Sequence, residues 1–333
     1  MQVLAKKSAP RRQTGEPPPP ASSFTFPAPV RGWILNENLA TVQPGGARRL
    51  ENWLCTTTGV RVRGGSVKHC TLDAPVTSLF AYNSALSKFF AATAGGIFDA
   101  TTPADATTPL TADVSGQTAG EYSTVQFGTA GGDFLYAVNG ADDAQLFDGS
   151  TWTTINGVSS PAFTGVATSD LSAVWSYANR LFFVEKNTMN AWYLAVDSIA
   201  GSASSFSLAG IFRKGGALLF GAAWSLDTGA GLDDKCVFVS TEGEIAVYAG
   251  TNPGSASEWS LQGVYTMPKP LGVNAFIQAG GDLLLATEVG LIPISAAIQT
   301  DLAAIESKAA STPIAPYWQR QAPGNDPAKE GFR

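Results

Sequence analysis

The residues able to do chemistry in this chain are few and widely scattered. A single histidine, His69, stands beside Cys70, and any Cys–His or Ser–His–Asp site would have to use that one imidazole. Sequence neighbours seldom aim at each other as nucleophile and base, so the pair does not read as a dyad. Cys55, Cys70 and Cys236 show no CxxC spacing and no companion histidines, which argues against a zinc site and for reduced thiols. ADDAQLFDGSTW, residues 141–152, offers Asp142, Asp143 and Asp148, but their spacing is not that of an EF-hand loop, and the segment reads as a solvated turn between strands. There is no GxSxG, HExxH, Walker A loop or dinucleotide fingerprint. Catalytic, cofactor and metal residues are therefore expected to be none. What remains is arginine chemistry. RLENWLCTTTGVRVRGG, residues 49–65, follows Arg48 and Arg49 with Asn52 and Trp53, then sets Arg61 and Arg63 two apart on one face of a strand. A guanidinium holds a carboxylate with two parallel hydrogen bonds, so the chemistry on offer is docking. The same two arginines also suit a solvated edge strand that resists aggregation.

The charge around those arginines is uneven. Residues 1–70 carry ten Lys or Arg against three acids, while the remainder carries eleven against 24, so a segment of +7 precedes a body of −13. Such a division fits either a basic arm that docks on an acidic partner or nucleic acid, or a solvated tail. PPPP at 17–20 predicts an extended segment without a core of its own. The N-terminus lacks the apolar stretch of a signal peptide, and no run reaches the roughly 20 apolar residues of a membrane span, so a soluble protein made in a cytoplasm is expected.

The elements that must position these groups repeat. Five passages, beginning at Leu79, Gln126, Val174, Ala223 and Ala275, each read strand, turn, strand, turn, strand. Their first aromatics, Phe80, Phe127, Trp175, Trp224 and Phe276, are 47, 48, 49 and 52 residues apart. Lys88, Asp133, Arg180, Lys235 and Asp282 open the second strands at intervals of 45, 47, 55 and 47. Those second strands (FFAA, FLYAV, LFFV, CVFVS, LLLA) are nearly all apolar, as a strand covered on both faces must be, and the third strands look more mixed. WTTIN, SFSLAGIF and WSLQGVYTM fit a fourth, outer strand. A period of 40 to 50 residues with four antiparallel strands predicts an all-β fold, a β-propeller, in preference to a β-sandwich. After the fifth unit, SAAIQTDLAAIESKAAS begins with Ser295 as an N-cap and spaces Ile298, Leu302 and Ile305 at i, i+4, i+7, which predicts one amphipathic helix. The Pro-rich end then reads as extended. The expected organisation is an arm over 1–32, an opening segment over 33–75, propeller repeats over 76–296, and a helix with an extended tail over 297–333.

QPGGARRLENWLCTTTGVRVRGG, followed by these units and by GLIPISAAIQTDLAAIESKAASTPIAPYWQR, resembles the tail nozzle or hub proteins of short-tailed bacteriophages. Pro44, Gly45, Asn52, Trp53, Arg61, Arg63 and Gly64 occupy the positions of that family's opening segment, and Gly290 to Ser295 match its strand before a helix. The likeness spans about residues 33–320. It departs at the C-terminus, where the family continues with further strands, so a shortened or split member, with a ring completed by missing or partner segments, is expected. The resemblance implies a structural virion protein of the phage tail. It would stand as a homohexamer below the portal and adaptor rings, contact tail fibre or needle proteins, and form a conduit that retains viral DNA and later passes it. An acidic body suits such a lumen, since like charge keeps DNA from sticking. On this reading Arg48, Arg49, Arg61 and Arg63, with Asn52 and Trp53, are docking positions. The alternative from another class is a glycan-binding or tailspike-like propeller at the host surface. FDGSTW is similar to the Asp-box of sialidases at its Asp, Gly, Thr and Trp. Against that alternative, the equivalent blade positions Ala94, Asn139, Lys186 and Glu242 do not repeat an aromatic-plus-polar cluster. A cellular interaction propeller would carry WD or kelch signatures, and none is present.

Overall fold

The computed structural model describes residues 25, 27–38, 44–105, 107–227 and 232–322. The arm expected over 1–32 lies, up to residue 24, outside the described residues, as does the chain beyond residue 322. The chain divides into two compact units, residues 1–33 with 39–63, and residues 34–38 with 64–333.

In the smaller unit, β1 (Gly32–Trp33) pairs in parallel with β2 (Gly46–Ala47). β3 (Trp53–Cys55) and β4 (Val60–Val62) form an antiparallel hairpin with Trp53 opposite Val62 and Leu54 opposite Arg61. Thr56 closes its turn: the amide and hydroxyl donate to the Gly59 carbonyl, and the hydroxyl accepts from the Gly59 amide. Trp33 Nε1 donates to the Arg48 carbonyl at 3.0 Å, and Cys55 Sγ donates to Pro29 O at 3.1 Å. Strands of three residues with no further neighbour are marginal by themselves, so these side-chain ties carry much of the local order.

The larger unit is the predicted propeller, with five antiparallel sheets in sequence. Blade 1 holds β5 (Ser78–Asn83), β6 (Ser87–Thr93), β7 (Gly96–Asp99) and β8 (Val114–Ser115). Blade 2 holds β9 (Ser123–Thr129), β10 (Gly132–Val138), β11 (Ala144–Phe147) and β12 (Trp152–Ile155). A short parallel pair, β13 (Phe163–Thr164) with β17 (Gly201–Ser202), flanks blade 3, which comprises β14 (Leu171–Tyr177), β15 (Arg180–Glu185), β16 (Asn190–Tyr193) and β18 (Ser204–Ser207). Blade 4 holds β19 (Leu218–Asp227), β20 (Leu232–Ser240), β21 (Glu244–Gly250) and β22 (Trp259–Thr266). Blade 5 has three strands, β23 (Phe276–Ala279), β24 (Asp282–Ala286) and β25 (Leu291–Pro293).

The apolar second strands have a specific cause. Successive side chains of a strand point to opposite faces, and the second strands of blades 2 and 3 each serve two inter-blade cores at once. In β10, Leu135 and Ala137 join Phe80, Phe90 and Phe147 between blades 1 and 2, while Tyr136 and Val138 join Val174 and Phe183 between blades 2 and 3. β15 repeats the division, with Leu181 and Phe183 on one side and Phe182 and Val184 facing blade 4. Three of the third strands differ from the sequence reading: β7, β11 and most of β21 are as buried as the second strands, while β16 and β25 are mixed as expected. Their polar neighbours in sequence belong to the turns.

The C-terminal helix is shorter than its periodicity suggests. α1 covers Ile294–Gln299 only, preceded by Pro293 in place of a Ser295 cap, and Thr300 turns extended. A single 3-10 turn at Ile305–Lys308, another at Thr312–Ile314 and α2 (Ala315–Gln321) follow, so part of the segment expected to be extended is helical. A short Ala-rich helix is weakly stable in isolation, and tertiary burial decides its length. Here the break lets Ile305 reach the blade 4–5 core while Leu302 stays exposed. It also brings residues 310–311 alongside β25, where Ala310 N donates to Leu291 O and Leu291 N donates to Ser311 Oγ, occupying the place of a fourth strand. Among the described residues no helix is long and apolar enough to cross a membrane.

Candidate functional site

The body carries a cavity of about 410 Å³ where blade 1 meets blade 2. Lys88 lies two residues before Phe90 on β6, and Phe90 stands opposite Asp99 of β7, so all three share the face turned to blade 2. Lys88 Nζ donates to Asp99 Oδ2 at 2.6 Å. Asp113, at the entry to β8, completes this wall. Blade 2 supplies Phe147, Ser150, Thr151 and Trp152 from the end of β11 and its turn into β12. Trp152 is half-buried and meets Phe90 and Phe147 with ring centroids 5.0 and 5.2 Å apart.

The turn that presents Ser150 and Thr151 is built by Asp148. Its Oδ1 accepts the amides of Ser150 and Thr151 at 2.8 and 2.7 Å, and Oδ2 accepts the Thr151 hydroxyl. The Thr151 amide, foremost among these donors, holds the Asp148 carboxyl below its ordinary range. Gly149, at φ +94°, is required twice over: a Cβ there would be strained and would sit 2.9 Å from the Tyr82 hydroxyl of blade 1. The Asp-box-like FDGSTW is thus a structural turn whose residues also line the cavity.

The charges of the cavity nearly balance. The hydrogen bond to Asp99, and then its charge, hold Lys88 above its ordinary value. At Asp99 partial burial is the largest single influence and opposes ionisation, but the Lys88 and Thr101 hydrogen bonds together outweigh it and keep the carboxyl low. Asp113 moves the other way. Although the residue is exposed overall, withdrawal of its carboxyl from water, and then the Asp99 charge, raise it. The wall therefore offers donors and acceptors, with Asp113 in excess of the Lys88–Asp99 pair.

The other sequence-predicted groups are spread apart and tied into structure. His69 Nε2 donates to Ala100 O at 2.7 Å, which pins the loop carrying half-buried Cys70 to blade 1. Asp142 accepts from the Thr118 amide and hydroxyl, the Ala119 amide and Asn139 Nδ2, fastening the blade 1–2 linker. Asp143 accepts from Asn156 Nδ2 and Thr168 Oγ1. These aspartates are hydrogen-bond anchors, more engaged than a solvated turn requires. Among the described residues no group of three or more His, Cys, Asp or Glu is placed to hold a metal.

In the smaller unit, Arg61 lies on β4 and Arg63 just past its end, both exposed, and neither has an ion-pair partner among the described residues. The opposite face carries Trp53 and Val62, 47% and 62% exposed, and Leu54 is exposed beside Arg61. Asn52 adopts φ 60°, a left-handed conformation asparagine tolerates, and its carbonyl accepts the Arg63 amide at 2.7 Å. Arg49 differs from the expectation of an available cation: its guanidinium grips Glu51 with two bonds of 2.6 and 2.9 Å. Arg48 is exposed and contributes its carbonyl to Trp33.

Sequence reading missed two sets of residues. Asp99 and Asp113 stand beside Lys88 through strand pairing within blade 1, whereas Trp152 joins them only through packing of blade 2 against it, and no spacing announces that meeting. The periodic second-strand openers were visible, but their use was not. Asp133 accepts from Ser84 of blade 1, Arg180 donates to Thr251 O of blade 4, and Asp282 accepts Trp224 Nε1 of blade 4. Each ties one blade to a neighbour, which is why a polar residue recurs there.

No protein-family profile matches the chain, and no curated protein matches it. Among solved structures it is similar to a candidate 6-phosphogluconolactonase from Bacteroides uniformis ATCC 8492, at 15% identity and a TM-score of 0.44, over 71% of this chain and 70% of that one. It is also similar to the extracellular domain of the candidate one-component system BT4673 from B. thetaiotaomicron, at 11% identity and a TM-score of 0.37, over 68% of this chain and one third (33%) of that one. On its own strand order and inter-blade packing, the body of the chain is a β-propeller of five antiparallel blades.

Proposed function

We propose that the chain is a structural protein of a short-tailed phage virion, a propeller of the tail nozzle or hub whose β3–β4 hairpin docks on a neighbouring ring. The observation that carries this reading is the hairpin itself. Arg61 and Arg63 are exposed with no ion-pair partner among the described residues, and Trp53 and Val62 are exposed on the face of the hairpin away from Arg61. A marginal two-stranded hairpin exposing a tryptophan gains most from a partner that covers it, and paired guanidiniums select carboxylates there. The motif residues Pro44, Gly45, Asn52, Trp53 and Gly64 support the same assignment. The partners on this reading are further copies in a homohexamer, the adaptor or portal-side ring, tail fibre or needle proteins, and viral DNA that passes without sequence-specific contact.

The test is charge reversal of Arg61→Glu with Arg63→Glu in the virus. The fraction of tail-bearing particles should fall and fall further with added salt, while circular dichroism of the isolated protein stays unchanged. Normal tail attachment by a folded double variant overturns the reading.

A second reading, a glycan-binding propeller at the host surface, is favoured by the cavity between blades 1 and 2. The propeller body supports this reading better than the first, because a cavity of ligand size lies in it.

A further inference from the structure

We propose that the β3–β4 hairpin of one copy inserts between blades 1 and 5 of a second copy of this chain. The proposal rests on the docking reading of the hairpin and names its partner and its seat. Consecutive blades meet through hydrophobic cores, but among the described residues no core joins blade 5 back to blade 1. Two sheet faces are left over. On blade 1, Phe80, Tyr82 and Phe90 belong to the core shared with blade 2, so Leu79, Ala81 and Phe89 lie on the opposite face, with Ala81 paired to Phe89 across the strands. Leu79 is 62% exposed and Phe89 38%. On blade 5, Leu283 and Leu285 belong to the core shared with blade 4, which puts Ile277, 58% exposed and paired with Leu284, on the far face. Tyr122 holds the two blades together at one end: its amide donates to Ser78 Oγ at the start of β5, and its carbonyl accepts Asn274 Nδ2, just before β23, at 3.2 Å. The leftover faces therefore flank one slot with apolar walls, each wall being half of the kind of interface made at every other blade junction.

Such a slot takes an insert that is apolar on both faces, and the chain carries one. β3 and β4 pair only with each other among the described residues. Trp53 and Val62 stand opposite each other on one face of the hairpin, 47% and 62% exposed, and Leu54, 42% exposed, lies on the other. A large aromatic side chain entering an apolar seat is the usual anchor of an interface. Charge selects a second copy as the source. The described part of the smaller unit sets Arg31, Arg48, Arg49, Arg61 and Arg63 against Glu51, whereas the chain after residue 70 carries 24 acids against eleven bases, so the hairpin of one copy approaches a body of opposite sign. Insert and slot are different surfaces, so every copy can use both, and the contact propagates from copy to copy as a ring does.

The experiment is sedimentation velocity on the full chain and on two double variants, with circular dichroism as the folding control. Trp53→Ala with Val62→Ser disables the hairpin and keeps the slot; Leu79→Asp with Ile277→Asp disables the slot and keeps the hairpin. All four positions are exposed, so both variants should fold. The wild type should self-associate with a dissociation constant below about 100 μM, and each variant should associate about tenfold more weakly or worse. An equimolar mixture of the two should form a one-to-one complex, because the slot of one accepts the hairpin of the other. A wild type that stays monomeric to about 100 μM overturns the proposal and leaves the slot to a different partner. A slot variant that associates like the wild type, or a mixture without a complex, overturns it as well. In the virus, tails lost with the hairpin variant but kept with the slot variant refute the proposal while the docking reading stands; tails kept with the hairpin variant refute that reading itself.

Discussion

Replacing Gly221 with alanine should loosen the contact between blades 3 and 4 more than its single added methyl suggests. Gly221 lies on β19, and a Cβ built there falls 2.2 Å from Trp175 Cζ2 and 2.5 Å from Cη2. Ordinary carbon contacts are about 3.5–4.0 Å, so the shortfall exceeds an ångström. The indole has nowhere to retreat. It is 5% exposed, stacked on Phe182 at 5.4 Å and met edge-on by Phe238 at 5.7 Å. Overpacking of this kind costs about 1–3 kcal/mol, and the immobile ring places the change at the upper end, about 3 kcal/mol. At roughly 2–4 °C per kcal/mol for a domain of this size, the melting temperature should drop by about 6–12 °C. The assay is urea and thermal unfolding followed by circular dichroism, with Gly210→Ala, where a Cβ meets nothing within 4 Å, as the control expected to stay within about 0.5 kcal/mol. Trp175→Phe removes the atoms in the way, so in that background Gly221→Ala should cost about 1 kcal/mol less or better, a coupling that a double-mutant cycle reads directly. A Gly221→Ala protein with the wild-type midpoint, or with the same loss in both backgrounds, refutes the reasoning.

Glu244 is buried, and its carboxylate accepts the amides of Arg213 and Lys214 at 2.8–3.0 Å, so Glu244→Gln should cost about 1–3 kcal/mol by urea denaturation. An unchanged midpoint refutes that role. Lys88→Met should cost under about 1 kcal/mol at pH 7, since both partners are a third exposed. Because the folded Asp99 carboxyl is held below its ordinary 3.8, the stability it contributes is present above that value and is lost as pH falls through the lowered one. The gap between wild type and variant should therefore close on acidification, and a gap that widens contradicts the ion pair. Among the thiols, burial raises Cys236 well above its ordinary range, whereas Cys55 and Cys70 are half-buried. Ellman's reagent should titrate two thiols in the native protein and the third only on unfolding; three fast equivalents count against the packing of β20.

The strand plan of the body was legible because it rests on short-range physics. A strand that serves two cores must be apolar at every position, and LFFV at Leu181–Val184 shows this directly in its letters. The aromatic period from Phe80 to Phe276 follows from each blade repeating one packing problem. The same letters understated the burial of β7, β11 and β21 and overstated the helix after β25. The helical spacing of Ile298, Leu302 and Ile305 is real, but the burial of Ile305 against blade 5 and the pairing of residues 310–311 with β25 outweigh a weak local preference.

The letters alone carry the all-β class, the five units and the scarcity of catalytic groups. Those are consequences of composition and of a two-residue period, and both are local. Packing is what ties Asp142 to Thr118 across the chain and places Trp152 with Lys88, Asp99 and Asp113 along one cleft. Lys88, Asp99 and Asp113 share the sheet of blade 1, but Trp152 reaches them through the way the sheet of blade 2 packs against it, a relation that no spacing along a single chain encodes.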